Sequence, residues 1–341
     1  MNFKLHKDFS EIDSKTWNAL VEQSIADTPF SRYEYLAEWW QTRGGGEWQN
    51  PELALVSANE EDQIIGIAPL FIAEHEGKKA LLLVGSIEIS DYLDLIVREA
   101  DLPRFLSELL DFLASAPIGN WSALDWYNIP ESSPTRAALK AEFERRGHVY
   151  HAEIYRPTPR IALNGSFEEY LARLEKKQRH EIRRKMKRAA ESGLNVRFVL
   201  VDRSADIEQE MNTFFGLMTQ DPNKANFLHP AMRGQMTVTI RSAFEQGYLW
   251  LAFLEIGGEK VAASLNFDYK NKLWGYNSGV SRSQAHMELS PGWVLLGHTI
   301  QWCCENGRYE FDFMRGDEAY KYRFGGVNKY VMRERAICRS L

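Results

Sequence analysis

The chain has 341 residues, of which 44% are apolar and 26% charged, and this places it among globular proteins with material for two domains. Its net charge of -6 excludes a protein that wraps nucleic acid over its whole surface and leaves room only for a local basic patch. The first residues, MNFKLHKDFSEIDSKTW, lack an apolar signal core, and apolar runs such as ALLLVG fall far short of the roughly 18 residues that span a bilayer, so the expected location is cytoplasmic. Cys303, Cys304 and Cys338 are odd in number, which suits a reducing compartment.

In chain order, residues 52–72 read as strand, acidic turn, strand, and the same pattern returns at 248–269. Residues 101–116 have helical spacing, with Asp101 and Pro103 at the start. A Gly-Asn turn at 119–120 then leads into a strand with Asp125 at its centre. The second half repeats this order. A strand over 272–281 precedes a helix that starts at Ser290 and Pro291 and stops at Asn306 and Gly307, and a strand with Asp312 at its centre follows. Each half is therefore expected to be an α+β unit, a mixed sheet flanked by helices, with domains at 1–155 and 156–341. Residues 148–165 form the crossing between them.

Residues 166–192 predict one amphipathic helix, opened by a Ser166/Glu169 capping box and closed at Gly193. Phe167, Leu171, Leu174, Ile182 and Met186 form its apolar stripe. Arg173, Lys176, Lys177, Arg179, Arg183, Arg184, Lys185, Lys187 and Arg188 crowd the rest, against Glu175 and Glu181. An excess of cations over 173–188 in an acidic chain points to an anionic partner: a substrate, a membrane surface or RNA phosphates. Aromatic residues are missing from that face, which disfavours stacking of single-stranded bases.

Metal and covalent-serine chemistry find no support. There is no HExxH, no GxSxG, no P-loop and no GxGxxG; RGGGEW at 43–48 lacks the required strand-to-helix context, and His148 and His151 read as structural. The helix start in ELSPGWVLL is either a good cap or an anion site made by free backbone N–H groups, with Gly292 allowing close approach. Its first-half counterpart is flanked by Glu99 and Asp101, so a cofactor phosphate belongs at the second-half helix, near Arg282. The stretch FDFMRGDEAYKYRFGG, residues 311–326, is either a solvated loop with ion pairs such as Asp317 with Lys321, or a site.

The order hairpin, strand ending in NSG, SPGWVLL helix, and closing DFMRGDEAYKYRFG resembles the acyl-CoA-dependent GNAT acetyltransferase fold. It is more closely similar to the tandem, FemAB-like proteins and to the acetyltransferases linked to cellulose biosynthesis (CelD/BcsL type). SDYLDLIV at 90–97, HEIRRKMKR and GGEKVAASL come in that family's order. The usual pyrophosphate loop, Q/R-x-x-G-x-G/A, is absent, and ELSPGW stands in its place, as in the FemAB-like branch.

The resemblance implies two splayed strands, near 273–280 and 309–315, that hold an acyl-CoA arm, with Asn277, Ser278 and Gly279 providing an oxyanion hole. Ser290, Gly292, Trp293 and Arg315 are then expected to hold the cofactor. Asp317 or Glu318 would accept the acceptor's proton, Tyr320 would donate to the leaving thiolate, and Lys321 and Arg323 would fix anionic groups. Asp91, Tyr92 and Asp94 would bind a polar acceptor in the cleft between halves. The function so implied is transfer of an acyl group from acetyl-CoA or another acyl-CoA, without a metal, to an amine or hydroxyl of an envelope or exopolysaccharide precursor. Two alternatives stay open: FemAB-like transfer from aminoacyl-tRNA to a peptidoglycan precursor, and a non-catalytic binding module in polysaccharide assembly.

Overall fold

A computed structural model describes residues 1–337 except Gly45, Ala116, Pro117, Gly119 and Asn120; the 119–120 turn and Cys338 lie outside the described residues. The chain forms two compact units, one of Met1–Pro157 joined by the C-terminal stretch from Tyr330, the other of Thr158–Lys329.

The first unit carries β1 (Asn2–His6), α1 (Ser14–Val21), α2 (Tyr33–Arg43), β2 (Gln49–Glu60), β3 (Gln63–His75), β4 (Lys78–Leu83), β5 (Ile96–Val97), α3 (Leu102–Ser115), β6 (Ala123–Pro130), α4 (Pro134–Arg145) and most of β7 (Val149–Ala162). The second carries α5 (Phe167–Arg173), α6 (Lys176–Ala190), β8 (Val196–Leu200), α7 (Ile207–Met218), α8 (Pro222–Phe227), α9 (Pro230–Gln246), β9 (Leu249–Ile256), β10 (Glu259–Tyr269), β11 (Lys272–Val280), α10 (Gln284–Met287), α11 (Pro291–Glu305), β12 (Glu310–Asp312) and α12 (Ala319–Arg323). The last of the described elements is β13 (Val327–Ile337).

Both units repeat one sheet order, with strands β1-β2-β3-β4-β6-β13 in the first and β8-β9-β10-β11-β12-β7 in the second. In each, a hairpin is followed by a third antiparallel strand, a helix, and a strand parallel to the third: β4 with β6, and β11 with β12. The expected hairpins, β2/β3 and β9/β10, form at the positions their alternation indicates. The helix expected over 101–116 is α3, which buries Leu102, Phe105, Leu106, Leu109, Leu110 and Leu113 at i, i+3, i+4 spacing.

The single helix expected over 166–192 is two. Ser166 and Glu169 make the capping box, but Leu174 takes extended angles (φ -74, ψ 154) and ends α5. The reason is tertiary. The buried Leu174 side chain packs where Gly325 leaves room, since a Cβ at Gly325 would lie 2.5 Å from Leu174 Cδ2. The basic segment resumes as α6, which packs on α11 with Met186 lying over Gly297; a Cβ there would stand 2.8 Å from Met186 Sδ. Among the described residues no helix is long and apolar enough to cross a membrane.

Candidate active site

The second unit's sheet opens at one point. β11 and β12 pair through only three positions, Lys272 with Glu310, Leu273 with Phe311 and Trp274 with Asp312. β11 then runs on to Val280 beside β10, whereas the chain after β12 turns toward β7, where Phe313 N–H donates to Pro159 O at 2.9 Å. A bulge adds Tyr276 to β11, because Leu265 faces Asn277 while Asn266 faces Gly275. Among the described residues, β11 from Gly275 onward thus has no strand neighbour on its β12 side.

Buried charge fixes the mouth of this opening. Asp312 is fully buried, and its carboxylate meets Lys272 Nζ at 2.8 Å and Arg160 Nε at 3.2 Å and accepts from Met314 N–H at 2.8 Å. Burial pushes its pKa up, but the charges of Lys272 and Arg160 outweigh that and hold the carboxyl below its ordinary value. Lys272 also reaches Glu310 at 2.7 Å and lies 3.6 Å above the Trp274 ring.

Along the open edge stand Asn277 and Ser278. Ser278 N–H donates to Asn277 Oδ1 at 2.8 Å, so this backbone donor, expected in the oxyanion hole, is already engaged. Gly279 has a packing reason: a Cβ would come within 2.4 Å of Met218 N at the end of α7. Lys224, which the sequence reading missed, projects from α8 to this edge. Its Nζ donates to Ser278 O at 2.6 Å, Asn277 Oδ1 at 3.1 Å and Ser278 Oγ at 3.2 Å. Burial lowers its pKa, opposed by Asp221 and Glu318 and reinforced by Lys321. A lone Lys in DPNKAN has no motif to mark it; only the Asp221 cap, accepting from Asn223 and Lys224 N–H, is legible.

The closing stretch is a tied loop. Lys321 is buried and donates through Nζ to the carbonyls of Met314 (3.2 Å), Arg315 (2.8 Å) and Gly316 (3.4 Å), and it pairs with Glu318 at 2.9 Å. Met314 and Gly316 have left-handed φ values of 59 and 125, a course the lysine holds in place. The i,i+4 pair anticipated between Asp317 and Lys321 is replaced: Asp317 accepts from the Tyr322 hydroxyl, which also reaches Asn328 at 2.9 Å. Glu318, Tyr320 and Arg323 are exposed, and Tyr320 meets the Phe313 ring edge-on at 6.0 Å. Lys224, Glu318 and Lys321 are thus brought together with Asn277 and Ser278.

At the α11 start, Ser290 occupies the cap position in a left-handed conformation (φ 54, ψ 58) without a side-chain cap bond, unlike the cap expected. Gly292 lies against β11, where a Cβ would meet Val280 Cγ2 at 2.9 Å. Trp293 has the Lys185 ammonium 3.9 Å from its ring centre and the Phe324 ring 4.7 Å away, tilted by 48°. Just before this start, Glu288 and Leu289 line a groove of about 550 Å³ with Arg184, Lys187 and Arg188 of α6 and the nearby Glu191 and Ser192.

Asp91, Tyr92 and Asp94 are buried in the first unit. Asp94 accepts from Ser133 Oγ, Thr135 Oγ1 (2.6 Å) and Leu95 N–H (2.8 Å), and burial raises its pKa to about 6. His75, Glu76 and Asp125 are metal-ligand types gathered within 4.8 Å, but Arg333 stands among them, 2.6 Å from Asp125 and 2.9 Å from Glu76, and supplies their countercharge.

The sequence profile of the acetyltransferase (GNAT) domain matches residues 176–322, from α6 through the Lys321 loop. The fold is similar to that of FemX (13% identity, TM-score 0.66, covering 98% of this chain and 97% of that one). It is also similar to a conserved protein of unknown function from Bacteroides thetaiotaomicron VPI-5482 (11%, 0.60, 98% and 100%) and to L-PGS from Bacillus licheniformis (13%, 0.57, 96% and 93%). No curated protein sequence matches the chain. Residues 176–322 carry an acetyltransferase (GNAT) domain, and with it the acyltransferase class of enzyme, in the second of two α+β units that repeat one sheet order.

Proposed function

We propose that the second unit takes an acyl group from acyl-CoA and passes it to an amine or hydroxyl of a polar acceptor, of the envelope or exopolysaccharide precursor class. The observation that carries this reading is the opening between β11 and β12 beyond Trp274 and Asp312, edged by Asn277, Ser278 and Lys224 and followed by the carboxylates Asp317 and Glu318. A linear pantetheine arm suits an unpaired strand edge. The groove beside the α11 start sets Arg184, Lys187 and Arg188 against Glu191 and Glu288, a small cationic excess that suits the phosphates at the arm's far end. Direct attack by the acceptor requires loss of a proton, for which Asp317 and Glu318 are the available carboxylates. Lys321, expected to fix an anionic group, instead holds the loop that presents them, and Tyr320 remains the candidate donor to the leaving thiolate.

A second reading is FemAB-like transfer from aminoacyl-tRNA to a peptidoglycan precursor. The exposed Lys176, Lys177, Arg184 and Arg188 of α6 favour it, because a polyanion would need such a surface. Calorimetric titration with acetyl-CoA and longer acyl-CoAs, beside Ser290→Asp, separates the two. Saturable binding by the wild type that the variant loses supports the acyl-CoA donor at α11. No binding by the folded wild type refutes it and turns the assay to aminoacyl-tRNA.

A further inference from the structure

We propose that Lys224 is the electrophilic residue of the transfer, its ammonium taking the donor's carbonyl oxygen at the open edge of β11. The inference rests on the acyl-CoA reading given above.

Three features of the second unit carry it. First, the backbone donor at the expected position is occupied, since Ser278 N–H is bound to Asn277 Oδ1 at 2.8 Å. Second, a stronger donor stands at the same residue: Lys224 Nζ lies 2.6 Å from Ser278 O and 3.1 Å from Asn277 Oδ1. Both backbone groups of Ser278 are thus taken by side chains, which places Asn277, Ser278 and the ammonium together on the side of β11 away from β10. Third, the lysine is held from behind. Asp221 caps α8 and pairs with Arg282 at 2.7 Å, and Arg282 N–H donates to Gln220 Oε1 at 2.8 Å. The three hydrogens of an ammonium here match three oxygens, Ser278 O, Asn277 Oδ1 and Ser278 Oγ. Of the three, the 3.2 Å contact with Ser278 Oγ is the longest and the one to exchange for a substrate oxygen.

In the resulting step the acceptor's nitrogen or oxygen lone pair forms a bond to the thioester carbon, and the C=O pair moves onto oxygen, stabilised by the Lys224 cation. The acceptor's proton passes to a loop carboxylate. As the C=O re-forms, the C–S bond breaks with its pair on sulfur, and the thiolate is protonated to CoA thiol. Lys224 keeps its protons throughout, so the charge facing Asp221, Glu318 and Lys321 does not change during turnover.

The test needs no knowledge of the acceptor. Two unreactive probes are titrated: an acetonyl thioether of CoA, which retains the carbonyl oxygen, and ethyl-CoA, which lacks it. The wild type is expected to bind the ketone about 10- to 100-fold more tightly, the range for a hydrogen bond to a charged donor. Lys224→Met is expected to abolish that preference while its ethyl-CoA affinity, which reports the folded site, stays unchanged, and Lys224→Arg is expected to keep part of it. A preference that survives in Lys224→Met, or none in a wild type that binds both probes, overturns the role of Lys224 alone. If Lys224→Met does not fold, a Lys224→Arg protein that binds ethyl-CoA normally with the full wild-type preference overturns it as well. Failure of the wild type to bind either probe overturns the acyl-CoA reading and this inference together.

Discussion

Replacing Lys272 by methionine should both destabilise the second unit and change the pH dependence of its stability. Lys272 is buried, with Nζ 2.8 Å from the fully buried Asp312 and 2.7 Å from Glu310. Methionine preserves most of the stem that lies over Trp274 but removes the nearer of the two cations beside Asp312, keeping Arg160 at 3.2 Å and the Met314 N–H at 2.8 Å. Removing one partner of a buried ion pair costs about 3–5 kcal/mol, equivalent to a fall in Tm of roughly 6–20 °C for a unit of this size. The sign of the pH effect follows from Asp312, whose folded pKa lies below the ordinary 3.8. Its contribution is therefore complete above that value and is lost as pH falls through the folded pKa. With Lys272 gone the raising effect of burial gains weight, so the gap between wild type and variant should be full above the variant's folded Asp312 pKa and should narrow as pH falls from there to the depressed folded pKa of the wild type. Differential scanning calorimetry across a pH series measures both quantities. A loss under about 1 kcal/mol at neutral pH, or a gap that does not change with pH, would refute the assignment of this cluster as the brace of the opening.

The remaining predictions concern single contacts. Gly279→Ala sets a Cβ 2.4 Å from the backbone nitrogen of Met218, so α7 must move; a loss of about 1–3 kcal/mol is expected by urea unfolding. Lys321→Met removes the donor to three loop carbonyls and leaves them unsatisfied, and hydrogen exchange should show faster opening at 314–318 with little change in α9. Asp94 has a folded pKa raised to about 6, so its burial weakens the first unit as pH rises through the interval from the ordinary 3.8 to that value. Asp94→Asn should remove that decline and gain about 3 kcal/mol or less at neutral pH, read as a flatter Tm against pH.

What was legible in the sequence was local. Alternation marked both hairpins, and the recurrence of hairpin, strand, helix and strand marked the two units, because period-2 patterning and turn residues lie within a few positions of one another. The break at Leu174 was not legible, because the side chain there packs against Gly325, far along the chain. Ser290 follows the spacing rules for a cap, yet its left-handed backbone leaves the side chain without a cap bond. Within the site, Asn277, Ser278, Glu318 and Lys321 could be named from the resemblance, but not that Lys321 would be bound to the loop's own carbonyls. Lys224 could not be named at all, since its importance comes from where α8 delivers it and not from its neighbours in sequence.

The strand order has a consequence for how the chain is made. The first unit's sheet includes β13, whose residues from Tyr330 onward follow the whole of Thr158–Lys329 in the chain, and Met332 and Arg335 lie opposite Ile129 and Asp125 of β6. During translation the N-terminal sheet must therefore wait, one edge of β6 lacking β13, while all of Thr158–Lys329 emerges. Expression of residues 1–157 alone should give a protein prone to edge-to-edge association, and supplying a peptide of residues 327–341 should relieve it. Loss of the chain from Tyr330 onward would thus damage the unit built from residues 1–157, which is made long before it.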